Sequence, residues 1–192
     1  MLHETRDKTG KLLTWSMSQD NEGRDDNEPS FWLGCWTVTR REMQSSGLGR
    51  VHFAKVLEAL KAEYPSHIGR VTEIESTEGL TADSQPVRRA KFYKGLGLKE
   101  FDAPYELPLF QPVNSTVYVP QARLGKAIKA QLLFAPFTDK PVTAAQLRSI
   151  IRRIYERGYY VHPADPYIEE RLSLVDESKQ SLLREISIPA TK

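Results

Sequence analysis

The sequence predicts an α/β fold, a mixed central sheet with flanking helices followed by further C-terminal helices, and three observations carry that prediction. β-branched and aromatic residues crowd two runs before Arg40, helical and extended periodicities alternate between Gly49 and Phe134, and apolar residues return to helical spacing after Thr143. In the first region, Leu12 to Met17 follows a turn at Lys8-Thr9-Gly10-Lys11, and Phe31 to Thr39 supplies the next strand. Asp20 to Pro29 between them holds no apolar residue, which predicts a solvated, mobile loop.

After Gly49, residues Val51, Ala54, Leu57, Ala59, Leu60 and Tyr64 recur at helical spacing until Pro65, predicting a helix over 48–63. Residues 68–74 read as a strand, Ser84-Gln85-Pro86 opens a helix that closes near Gly95 or Gly97, and 98–101 and 128–134 read as further strands. That order sets helices against a sheet whose central strands run parallel. Thr143-Ala144-Ala145-Gln146 matches a capping box, and Leu147, Ile150, Ile151 and Ile154 line one helical face up to Gly158. Asp165-Pro166 should begin another helix, with Ile168, Leu172, Val175, Leu182 and Ile186 as its stripe. The chain thus divides into a domain over 1–139 and a helical extension over 140–192.

The 192 residues carry 27 basic and 25 acidic side chains, a formal charge of +2, and 40% are hydrophobic. Such a composition builds a core and excludes a wholly disordered chain. No apolar run approaches the ~20 residues that span a bilayer, and the opening residues carry no export signal, so a cytoplasmic protein with no membrane contact is expected. Cys35 is the only cysteine, which excludes an internal disulfide and a cysteine-based zinc site. No metal is expected. Near-neutral charge argues against nucleic acid as a partner, and Arg148, Arg152, Arg153 and Arg157 read as the solvated side of a helix interrupted by Glu156.

Gln44-Ser45-Ser46-Gly47-Leu48-Gly49-Arg50 lies between a strand and a helix. A glycine-bearing turn there leaves the first helical N–H groups unpaired, with the positive end of the helix dipole behind them, and so forms an anion site. Arg50, with Arg40 and Arg41, adds side-chain charge. The motif is neither the dinucleotide fingerprint nor the P-loop, since it lacks a third spaced glycine and Gly-Lys-Ser/Thr.

Gln44 to Gly49 resembles the Q/R-x-x-G-x-G/A signature of the GCN5-related N-acetyltransferase (GNAT) superfamily, whose loop binds the pyrophosphate of acetyl-coenzyme A. Ala90-Lys91-Phe92-Tyr93-Lys94-Gly95-Leu96 looks like the late helix of that superfamily, which ends in Phe-Tyr-x-x-x-Gly-Phe. The two motifs stand in the family's order, separated by one strand, and the resemblance covers Leu12 to Phe134. It implies a GNAT-like acyl-CoA N-acyltransferase fold with acetyl-CoA as cosubstrate. The pantetheine arm would run along Trp36, Thr37, Val38 and Thr39, and the loop Gln44, Ser45, Ser46, Gly47, Leu48, Gly49 and Arg50 would hold the diphosphate.

The resemblance also implies roles. Tyr93 would protonate the departing thiolate, since a phenol with a pKa near 10 stays protonated at neutral pH; the alternative for Tyr93 is a half-buried core aromatic. Glu73 and Glu75, two apart on one strand face, are the candidates for general base, and a solvated pair is their alternative. His52 and His67 are weaker candidates, and Cys35 reads as buried filler.

Three departures from the family pattern matter. The opening strand and two helices that usually shape the acceptor side are absent, the late helix carries Pro86 where an Asn is often found, and Ala103 to Arg123 is a proline-rich insertion expected as an ordered loop or irregular hairpin over the acceptor side. The expected function is direct acetyl transfer from acetyl-CoA to a primary amine, with a non-catalytic CoA-binding or interaction module as the alternative. The acceptor amine is unknown, and the short N-terminal side is expected to be covered by the helical tail, through the stripes Leu147, Ile150, Ile151, Ile154 and Ile168, Leu172, Val175, or completed by a homodimer or partner chain.

Overall fold

The computed structural model of the chain describes residues 1–108, 110–112, 118–120, 127–179 and 181–189. Its strands are β1 (Leu2–Arg6), β2 (Leu12–Asn21), β3 (Phe31–Thr39), β4 (Gly69–Glu75), β5 (Lys99–Phe101), β6 (Tyr105–Leu107), β7 (Phe110–Pro112), β8 (Tyr118–Pro120), β9 (Ile128–Pro136) and β10 (Leu183–Arg184). The helices are α1 (Leu48–Glu63), α2 (Gln85–Lys94), α3 (Ala144–Arg153) and α4 (Pro166–Leu172). The main sheet has eight strands in the order β1-β2-β3-β4-β9-β5-β10, with β6 also paired to β9. Among the described residues its parallel pairing is confined to β3 with β4, from Trp32↔Arg70 to Gly34↔Thr72. The parallel centre expected from the sequence is therefore one short pair in a mixed sheet.

Two apolar layers hold this sheet. On one face, Phe53, Val56 and Leu60 of α1 and Ala90 and Tyr93 of α2 pack on Trp32, Ile74 and Leu133. On the other, Leu147, Ile150, Ile151 and Ile154 join Ile168 and Leu172 of α4 over Phe31, Leu33, Val71 and Phe134. Each fully buried Leu, Ile or Phe contributes roughly 1.5–3 kcal/mol, so the tail helices are bound to the sheet by its own core. The capping box forms as expected: the Thr143 amide donates to Gln146 Oε1 at 3.0 Å and the Gln146 amide to Thr143 Oγ1 at 3.2 Å.

Several elements differ from expectation. β1 precedes the strand at Leu12 and pairs with it from Leu2↔Met17 to Arg6↔Leu12. The buried face of α1 is His52, Phe53, Val56 and Leu60, with Val51 exposed, because both His52 ring nitrogens are satisfied by Ser16 Oγ at 3.0 Å and Thr5 Oγ1 at 2.9 Å. α4 stops at Leu172. An Asx turn, in which Asp176 accepts from the Ser178 amide at 2.9 Å, redirects the chain, and Leu182 and Ile186 reach the core from the extended segment around β10.

The loop at 20–29 is more tethered than its composition predicts. The buried Arg153 guanidinium donates to the Asn21 and Glu22 carbonyls at 3.0 Å each and to the Pro29 carbonyl, and Gln146 Nε2 donates to the Asp26 carbonyl at 2.7 Å. Arg153 is therefore structural, while Arg148 pairs with Glu177 and Arg152 with Glu169. In the proline-rich insertion, β7 and β8 pair antiparallel, as an irregular hairpin would. Residues 109, 113–117 and 121–123 of it lie outside the described residues.

Candidate active site

The site begins with a bulge. Ser18 opposes Gly34 and Met17 opposes Trp36, so Cys35 is an extra residue on β3. A bulge reverses which face later side chains take. Before it, Trp32 points to the α1 side; after it, Thr37 and Thr39 do. Thr39 Oγ1 lies 3.1 Å from Thr14 Oγ1, and a Cβ on Gly49 of α1 would lie 3.1 Å from it. Trp36 and Val38 are turned to the opposite face, where Trp36 is 61% exposed. With Leu2 and Met17 they form an uncovered apolar row, since Leu2 pairs with Met17 and Met17 with Trp36.

Pairing between β3 and β4 ends at Gly34↔Thr72, beyond which the strands part. The opened edge of β3 leaves backbone N–H and C=O groups available to a ligand amide. The gap holds a cleft of about 530 Å³ walled by Cys35 to Thr39, Arg70, Thr72, Glu73, Glu75, Arg89, Phe92 and Tyr93. It shares Thr39, Gly49 and Phe92 with a second hollow of about 370 Å³ formed by Met43, Gln44, Ser45, Gly47 and Arg50. Together they make one groove from the N-terminus of α1 to Tyr93.

Gly47 caps α1 with φ +83, in the left-handed region. A Cβ there would meet nothing within 4 Å, so conformation rather than space requires the glycine. Ser45 is also left-handed, at φ 65. Ser46 Oγ accepts from the Leu48 amide at 3.3 Å, and the helix end behind it carries the positive dipole. Of the three arginines expected to add charge, Arg50 lines the hollow, whereas Arg40 donates to the Leu12 carbonyl at 2.9 Å and pairs with Glu42. Gln44 holds the turn by donating to the Thr39 carbonyl at 3.3 Å.

Tyr93 borders the groove but is only 7% exposed, with its ring edge-on to Phe53 and Phe92 at centroid distances of 5.4 and 5.2 Å. Phe92, its neighbour on α2, is the more exposed of the pair. Burial raises the Tyr93 pKa, and Arg70, Arg89 and Thr37 pull it down. Thr37 is near enough to influence the phenol, yet its hydroxyl makes no hydrogen bond of good geometry among the described residues.

The two glutamates diverge. Glu73 is half-buried on the α3 side, where its Oε1 accepts from the Tyr105 hydroxyl and, at 3.1 Å, from the Tyr159 hydroxyl. Burial raises its pKa, opposed by those two donors. Glu75 is ion-paired with Arg89 of α2. His67 Nε2 donates to Asp20 Oδ1 at 2.9 Å, and the ring stacks on Trp32; neither it nor His52 lines the cleft. Cys35, expected as filler, is half-buried in the cleft wall at the bulge, and burial raises its thiol pKa.

Sequence reading missed Arg70, Thr72, Tyr105 and Tyr159. Arg70 is 1% exposed, with its guanidinium 4.5 Å above the Phe53 ring and Nε donating to Ser18 Oγ at 3.3 Å. Nη1 has no hydrogen-bond partner, nor has the buried Thr72 hydroxyl, and Arg70 has no carboxylate partner among the described residues. A desolvated cation–π contact contributes about 2 kcal/mol, whereas removing a cation from water costs several. The charge is under-compensated. A charged residue inside an apolar strand, two before Thr72, was its one sequence signal.

No family model matches the sequence, and no curated protein matches it. Among solved structures, a Bacteroides thetaiotaomicron protein assigned to the GNAT family as an acetyltransferase is similar, with 14% identity, 84% of this chain and 73% of that one covered, and a TM-score of 0.56. The ribosomal-protein-S18-alanine N-acetyltransferase of Escherichia coli follows at 11% identity, with 73% and 70% covered and a TM-score of 0.45. At 0.56 the likeness is one of architecture, a mixed sheet with flanking helices. The chain has the acyl-CoA N-acyltransferase fold of the GNAT superfamily.

Proposed function

We propose that the chain is an acyl-CoA-dependent N-acyltransferase that transfers an acyl group to a primary amine by direct attack. The observation that carries this reading is the continuous groove from the left-handed cap at Gly47 to Tyr93, open along the unpaired edge of β3. Anion-binding amides at one end and a proton donor at the other are what a pyrophosphate and a departing thiolate need. The pantetheine arm takes the β3 edge at Trp36 to Thr39. The thioester carbonyl is polarised by a strand N–H near Val38.

The acceptor approaches from the opposite face, over Trp36 and Val38, toward Glu73. Its nitrogen forms the new C–N bond as the C–S bond breaks; Glu73 takes the proton from nitrogen, and Tyr93 gives its proton to sulfur. Glu73 is favoured over Glu75 because Arg89 already neutralises Glu75. No covalent enzyme intermediate is required. A CoA-binding module without turnover is the second reading, favoured by the burial of Tyr93.

Calorimetric titration with CoA, followed by thiol release from acyl-CoA in the presence of primary amines, separates the readings. Binding with amine-dependent thiol release supports the enzyme, binding alone supports the module, and no binding of CoA overturns both.

A further inference from the structure

We propose that the acyl donor of this site carries a terminal carboxylate, as in malonyl-CoA or succinyl-CoA, held by Arg70 and Thr72. This rests on the reading of the groove as an acyl-CoA site and names the class of donor it takes. The cleft narrows where β3 and β4 come together, and its floor there is Gly34, Arg70 and Thr72. A Cβ built on Gly34 would lie 2.5 Å from Arg70 Nη2 and 2.9 Å from Thr72 Oγ1. Both polar groups therefore crowd the one position on β3 that has no side chain.

Both are also incompletely bonded. Among the described residues Arg70, 1% exposed, has no partner for Nη1, and Thr72, 3% exposed, has none for its hydroxyl. The ionisable groups around Arg70 are His3, His52, Cys35 and Tyr93, none of which is anionic at neutral pH. An arginine keeps its charge even when buried, so the cleft floor presents a fixed cation, a fork of N–H donors and a hydroxyl, while the two glutamates of the cleft wall are engaged elsewhere, Glu73 by Tyr105 and Tyr159 and Glu75 by Arg89. An acyl chain extending past the thioester toward Gly34 meets this pair. A carboxylate accepts from both, whereas a methyl terminus leaves them unpaired.

The transfer itself is unchanged: the thioester C–S bond breaks, the C–N bond forms, and the distal carboxylate keeps its charge throughout. The product is an amide with a free carboxyl end.

The full chain is titrated by calorimetry with CoA, butyryl-CoA and succinyl-CoA, the last two matched in chain length. Succinyl-CoA should bind roughly 10- to 100-fold tighter than butyryl-CoA, the worth of a charge-assisted hydrogen bond. Arg70→Met should bring succinyl-CoA down to the affinity of butyryl-CoA; if that variant does not fold, Thr72→Val, which removes only the hydroxyl, should narrow the gap between the two donors several-fold, and an unchanged gap would overturn the assignment. CoA binding with succinyl-CoA no tighter than butyryl-CoA overturns the donor assignment and leaves the acyltransferase reading standing. Failure of CoA itself to bind overturns both.

Discussion

Gly34 and Arg70 claim the same space: a methyl group on Gly34 would sit 2.5 Å from the guanidinium Nη2. Gly34→Ala should displace that guanidinium and lower stability by roughly 1–3 kcal/mol, as overpacking does. Gly69→Ala should cost more, because its Cβ would stand 2.4 Å from the Ala135 carbonyl oxygen, a backbone atom that cannot swing away. Urea midpoints of the two variants check the order. An unchanged midpoint for Gly34→Ala means that Arg70 is free to move, against the tight floor described for the cleft.

Much of this architecture is legible in the sequence, and the limits have physical causes. The glycine turn before α1 and the Phe92-Tyr93 helix stand out because both need particular residue types at fixed spacing. The bulge at Cys35 leaves no mark, since any residue can be the unpaired one, and it decides that Thr37, not Trp36, faces the helices. Tyr105 and Tyr159 meet Glu73 across 32 and 86 positions of chain. Periodicity carries no information about contacts of that range.

Glu73 offers a pH test. Burial holds its folded pKa above the ordinary glutamate value, so the folded state binds this proton more tightly than the unfolded state. Its contribution is fully present below the ordinary glutamate pKa and is lost as pH rises through the folded one. The melting temperature of Glu73→Gln relative to the parent should therefore climb with pH across that window and then level off. Acyl transfer by the variant should fall roughly 10²–10⁴-fold. A melting difference that does not change with pH contradicts a raised pKa for Glu73 in the folded state.

Tyr93→Phe keeps the ring edge on Phe53 and removes only the hydroxyl. The raised pKa keeps the phenol protonated at neutral pH, so it has a proton to give. kcat should drop roughly 10²–10⁴-fold. Activity within a few-fold of the parent means that solvent protonates the thiolate.

Gly47→Ala places a side chain in open space but in left-handed backbone. The strain is about 1–2 kcal/mol, and relief of it would rotate the amides at the start of α1. CoA affinity should fall with only that modest loss of stability. Equal affinity by calorimetry shows that those amides do not hold the diphosphate.

In a crystal structure of the chain with CoA, the diphosphate should lie on the backbone amides of Gly47 to Arg50, the pantetheine arm along the open edge of β3 between Trp36 and Thr39, and the thiol within hydrogen-bond reach of Tyr93. CoA bound elsewhere, or a groove left without it at saturating concentration, would mean that the groove is not an acyl-CoA site.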